Sequence, residues 1–182
     1  MLYREIEVGL RGLLSQKKLS ILTKWFDEVL NSYPTDSQIF LRKTGDRFAN
    51  PVGSTILESL EGLYGELVGG MEEEKVLPFL NPIIQIQAVQ QISPSQAISF
   101  IPSLKKIVSL ELKDEIQGNR LFKELNEFDS EVDQLTLLSF DMYMVCREKI
   151  NEIKIKELKN RQEEVWQRIN KTYEKKAARG SV

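Results

Sequence analysis

The chain reads as an all-helical protein. Apolar residues recur at steps of three and four along most of its length. No segment combines strand alternation with a neighbouring strand to pair with, and residues 119–176 contain neither proline nor glycine. Together these observations predict an all-α bundle of about six helices with a long C-terminal helix.

The first helix is predicted from Tyr3 to Ser32, where Leu10, Leu13, Leu14, Ile21, Leu22, Trp25, Phe26, Val29 and Leu30 recur at helical spacing. Pro34 ends it, and Thr35-Asp36-Ser37 caps a short helix through Leu41. Lys43 to Asn50 is a connector. Asn50 and Pro51 read as N-cap and first residue of a third helix, with Val52, Ile56, Leu60, Leu63 and Leu67 as its stripe and Gly69-Gly70 as its stop. Glu72 to Glu74 suit the positive end of the next helix. Pro78 and Pro82 should divide that segment into a short turn, Glu72 to Phe79, and a helix proper, Pro82 to Gln91. Ser93-Pro94 launches a helix from Ser95 to about Lys113, which Pro102 should kink. From about Asn119, Leu121, Leu125, Phe128, Val132, Leu135, Ser139 and Met142 keep alternating steps of three and four. Beyond Cys146 the seam loses its register. A continuous helix here would be roughly 80 Å long at 1.5 Å per residue, so its distal half must project, pair or fray. Two regions follow: a body, 1–142, and a helical extension, 143–182, acting as linker or dimerisation helix. The last residues, Ala177 to Val182, read as a loose tail.

Composition removes whole classes of function. The chain has 182 residues, 41% hydrophobic, with mean hydropathy −0.30, which is neither a disordered nor a membrane composition. No apolar run approaches the ~20 residues that span a bilayer. The N-terminus lacks the basic and apolar regions of a signal peptide, so a cytoplasmic location is expected. There is no histidine, which rules out Ser-His-Asp and Cys-His nucleophiles, His-ligated zinc and a haem held by a proximal histidine. The single cysteine, Cys146, cannot form an intramolecular disulfide. Residues 143–182 carry eleven Lys/Arg and six Asp/Glu, a net of +5, against −2 for the whole chain. The basic residues interleave with glutamates and lack an aromatic platform, so they read as a solvated face and not a nucleic-acid site. No metal, cofactor or membrane insertion is expected.

Four segments deserve functional weighing. In Asp46-Arg47-Phe48-Ala49-Asn50-Pro51-Val52-Gly53, Asn50 caps, Pro51 fixes φ, Phe48 is expected to staple onto the first helical turn, and Gly53 permits close approach. The functional alternative is that Asp46 and Arg47 pair and present a polar surface to a partner. In Ile83 to Gln91, the glutamines Gln85, Gln87 and Gln90 either edge the core or orient a ligand. Ser93-Pro94-Ser95-Gln96 opens a nearly all-apolar helix. Ile83, Ile86, Val89, Phe100 and Leu104 are thus core residues or the lining of an apolar pocket. Cys146, beside Arg147 and Lys149, is either an inert thiol near the seam or a redox sensor. Acidic pairs such as Glu58 and Glu61 sit in no acid–base signature, and no catalytic residue is assigned.

Asp46 to Gly53, with Ala88-Val89-Gln90 and Ser93-Pro94-Ser95-Gln96-Ala97, resembles the N-terminal sensor domain of the RsbT co-antagonist proteins of the bacterial stressosome. The similarity covers roughly Ser15 to Leu112. It implies a globin-like helical domain without haem, used for sensing or docking, which pairs as a homodimer with its linker helix leading away. The family pattern has arginines where this chain has Gln85 and Gln87. Family members continue into a phosphorylatable STAS domain, and this chain ends about where that domain would begin, as in a stand-alone version. Residues Leu137 to Ile150 resemble stand-alone relatives associated with membrane redox complexes, which suggests a partner in a signalling or redox assembly. The reading is therefore a non-catalytic, homodimeric sensor or docking module. The alternative is a carrier or sensor of a small apolar ligand, such as a fatty acid, held in a haem-free globin pocket.

Overall fold

The computed structural model describes residues 9–43, 46–90, 92–116 and 121–179, with side chains to residue 173. The described residues form eight helices and no strand: α1 (Leu10–Gln16), α2 (Lys18–Leu30), α3 (Thr35–Leu41), α4 (Pro51–Gly69), α5 (Glu73–Ala88), α6 (Pro94–Ile98), α7 (Phe100–Glu111) and α8 (Phe122–Arg179). The all-α class is as expected, and the arrangement is consistent with a globin-like bundle. The predicted beginnings of the first and last helices, at Tyr3 and Asn119, lie outside the described residues, as does the tail after Arg179; Ala177 to Arg179, expected in that loose tail, continue α8 as helix. The chain divides into two compact units, Met1–Met144 and Val145–Val182.

In the first unit, α4 packs along α5 and α2 lies against both α4 and α7. Trp25, Leu30, Ile56, Leu60, Leu63, Leu80, Ile83, Phe100 and Leu104 are buried between them. The α4–α5 contact depends on one missing side chain. A Cβ on Gly62 would lie 2.2 Å from the Phe79 ring, so the ring occupies the space a larger residue would need.

Three expectations about helix boundaries are corrected. The single long first helix is two, broken at Lys17, and the buried Tyr64 hydroxyl donates to Leu14 O at 2.9 Å beside the break. That hydrogen bond comes from a helix 50 residues away, so nothing local announces it. The segment with two prolines is one helix and not two. Pro78 is exposed and Pro82 half-buried, four residues apart. The carbonyl opposite Pro78, that of Glu74, belongs to an exposed residue, so water can replace the lost bond. The predicted kink at Pro102 is a break at Ser99 instead. Pro102 thereby becomes the third residue of α7, where a backbone N–H has no intrahelical acceptor to lose. Trp25 Nε1 donates to Phe100 O at 2.6 Å and fixes the new start of α7 against α2.

Within the first unit the expected seam is buried at Leu121, just before α8, and at Phe128, Val132, Leu135 and Ser139, whereas Leu125 and Met142 are only half-buried and Tyr143, next to Met142, takes the buried position. The polar position is satisfied locally, since the Ser139 hydroxyl donates to Leu135 O at 2.5 Å. Charges tie the helix down. Glu124 accepts from the free Leu10 N–H at the start of α1 (2.7 Å), Glu131 pairs with Arg11 (2.6 Å), and Asp133 pairs with Lys105 (2.7 Å). In the second unit every residue from 151 to 173 is exposed, including Ile155, Leu158, Val165, Trp166 and Ile169. No helix among the described residues is long and apolar enough to cross a membrane.

Two neighbouring glycines on α4 give a controlled test of the packing. Gly62→Ala should lower stability by about 1–3 kcal/mol through overpacking against Phe79. Gly65, whose Cβ would meet nothing within 4 Å, should tolerate alanine with no loss or a gain of about 0.5–1 kcal/mol. Denaturant midpoints of the two variants check both signs.

Candidate functional site

The best-built feature on the surface begins with one buried amide. Asn50 is 1% exposed. Its Oδ1 accepts from Gly53 N at 2.9 Å and so caps α4. Its Nδ2 shares its two N–H groups among the carbonyls of Phe40 (3.1 Å), Leu41 (2.9 Å) and Lys43 (3.2 Å), where α3 ends. One side chain therefore closes the C-terminus of one helix and the N-terminus of the next. Gly53 makes room for it: a Cβ there would lie 2.3 Å from Leu41 O and 2.4 Å from Asn50 Nδ2.

Asp46 fixes the preceding residues. Its Oδ1 accepts from Phe48 N (2.9 Å) and Ala49 N (3.2 Å), and its carbonyl accepts from Asn50 N (2.9 Å). This is an Asx turn closed by a backbone turn. The pairing of Asp46 with Arg47, the functional alternative, does not form: Asp46 binds backbone N–H groups and Arg47 reaches Glu58 at 3.3 Å. Nor is Phe48 a staple: it is 99% exposed. A staple belongs to the residue just before the N-cap, which here is Ala49. Phe48 stands one position earlier, on a turn whose N–H groups are already committed.

Beside Phe48 lies a shallow groove of about 810 Å³, walled by Tyr33, Pro34 and Phe40 on one side and by Ala49, Asn50, Pro51 and Val52 on the other, with Asp36, Ser37, Leu41 and Gln90 completing it. Phe40 and Val52 are exposed there at 52% and 38%. The Tyr33 hydroxyl is buried and makes no full hydrogen bond among the described residues. Burial pushes its phenol up to about 12, and the nearby Gln90 side chain draws it partly back.

The groove joins two segments that stand far apart in sequence, Ala49–Val52 and Gln90. The other singled-out residues lie elsewhere. Ser93 and Gln96 form a reciprocal capping box at α6, with Pro94 at its first position and Ser95 near the Ser93 hydroxyl. Ile83, Phe100 and Leu104 are buried in the core, Ile86 is half-buried, and Val89 is 66% exposed, so these five do not line one surface. Gln85 is exposed and bonded to Asn81 (3.2 Å), whereas Gln87 is buried with its Oε1 unpartnered among the described residues. Gln91 lies outside the described residues. Cys146 is half-buried in the second unit. Tyr33, Pro34, Asp36 and Phe40 escaped the sequence reading. The one available signal was the Tyr-Pro pair at the end of an amphipathic helix.

The described residues form an all-α bundle with a capped turn and a groove, and membership of the family that matches makes it a sensor or signalling module related to the stressosome. The chain belongs to the family described as the RsbT co-antagonist protein rsbRD N-terminal domain, whose model matches residues 20–157. The match begins in α2 and extends into α8, further than the motifs alone suggested. No curated protein and no solved structure matches the chain.

The double role of Asn50 is separable by substitution. Asn50→Asp keeps the acceptor for Gly53 N but sets a carboxylate against three carbonyls. It should cost at least about 2 kcal/mol. Asn50→Ser, which also retains an N-cap oxygen, should be milder because it brings no charge. Urea denaturation of both variants measures the difference.

Proposed function

We propose that this chain is a non-catalytic sensor and docking module that works as a cytoplasmic homodimer. The observation that carries this reading is Phe48, held fully exposed by a turn with its N–H groups satisfied, beside an apolar groove built from the same motif. An exposed phenylalanine forgoes roughly 1.5–3 kcal/mol of burial, and a mobile loop would let it collapse onto the body. Family membership supports the signalling role. The absence of histidine and of any catalytic signature supports the non-catalytic one.

The second unit supplies the output in this scheme. Ile155, Leu158, Val165 and Ile169 are exposed and separated by steps of three, seven and four, with Gln162 at the intervening position. The upstream seam does not continue here, but these positions make a shorter coiled-coil-type stripe of their own, with one polar position, suited to an apolar stripe on a partner helix. Replacing Leu158, Val165 and Ile169 together by Glu should abolish partner capture in cross-linking pull-downs from the native host while leaving the melting temperature within about 2 °C, since surface changes rarely exceed 0.5 kcal/mol. Unchanged capture would remove the helix from the docking role.

A further inference from the structure

The homodimer reading above leaves open which surface pairs, and the structure carries an answer in the first unit. We propose that the Phe48 turn and the adjoining groove form a self-complementary interface, with Phe48 of each copy seated in the groove of the other.

Geometry makes the first argument. In a two-fold dimer the same patch must serve both copies, so a projecting residue and its receptacle have to lie side by side on one chain. Phe48 projects at 99% exposure, and the next residue, Ala49, is already part of the groove wall. A two-fold axis between them therefore fills both grooves at once. The wall facing the incoming ring is Tyr33, Pro34, Phe40, Pro51 and Val52, an aromatic and apolar surface that suits a phenyl group.

Charge makes the second. Asp36 lines the groove, is exposed, and has no ion pair among the described residues. Arg47 immediately precedes Phe48, and its contact with Glu58 is 3.3 Å long and well exposed at both ends, a pair of little energy that exchanges readily. When Phe48 enters the partner's groove, Arg47 arrives at the partner's Asp36, and symmetry makes this pair twice.

Pre-organisation fits the same scheme. Asp46 and Asn50 hold the turn before any partner arrives, so little ordering entropy is lost on association.

Sedimentation velocity over a concentration series of the full chain tests this, with circular dichroism as the check on folding. The wild type should dimerise. Phe48→Asp, at a fully exposed position, should stay folded and raise the dimer dissociation constant by ~30-fold or more, the loss expected for a central aromatic anchor. Arg47→Asp and Asp36→Arg should each weaken the dimer on the order of 10-fold, and the double reversal R47D/D36R should restore it. Only self-pairing predicts that rescue. A wild type that remains monomeric at high concentration would overturn the homodimer reading itself. A dimer indifferent to Phe48→Asp would leave that reading standing and overturn this interface. Two weakened single variants without rescue would overturn the Arg47–Asp36 pairing and with it the two-fold geometry.

Discussion

The first unit's surface depends on a single constraint, that Asn50 must satisfy the end of α3 and the start of α4 together. Helix ends leave several carbonyls and several N–H groups unpaired. An ordinary cap answers one end only. Here the oxygen of one amide takes the Gly53 N–H while its nitrogen serves two carbonyls of the preceding helix, those of Phe40 and Leu41, and that of Lys43 just beyond it. The angle between α3 and α4 is set by that side chain, and the groove is the space between those two helices. Pro51 has no N–H to satisfy, and Gly53 has no Cβ to push the amide away. The motif is thus a hinge that has been locked, and the exposed phenylalanine is its consequence.

Much of this was legible in the sequence. The all-helical class, the Asn50-Pro51 helix start, the Gly69-Gly70 stop, the Ser93-Pro94 helix start and most of the α8 seam all follow from local rules. Those rules act between residues within about one turn of each other, and each of these features is built from such neighbours. What failed was long-range. The Tyr64–Leu14 hydrogen bond beside the break at Lys17 spans 50 residues. The Trp25–Phe100 hydrogen bond beside the break at Ser99 spans 75. The prolines of α5 do not break it, because the hydrogen bonds they remove lie on an outer face where water can replace them. The site was half legible: the motif was found, but its orientation was not. A one-residue difference between the staple position and Phe48 changed a core residue into the most exposed large apolar side chain of the first unit.

Energetic magnitudes assign roles within the groove. A seated phenylalanine contributes about 1.5–3 kcal/mol, whereas an exposed Arg–Asp pair contributes about 0–1 kcal/mol. Phe48 therefore supplies affinity, and Arg47 with Asp36 supplies register. Asp46 and Asn50 contribute by removing disorder. The buried Oε1 of Gln87 stands outside this scheme, and nothing in the structure explains it.

The central claim is that the 46–50 turn is rigid in solution and presents Phe48 in a fixed pose. Backbone ¹⁵N relaxation of the Phe48 and Ala49 amides tests it most directly. The account predicts order parameters of about 0.85, as in the adjoining helix α4, because both N–H groups are held by Asp46. Values below about 0.6 would mean a flexible turn. Phe48 would then be a side chain on a loose loop, and the locked hinge would not exist.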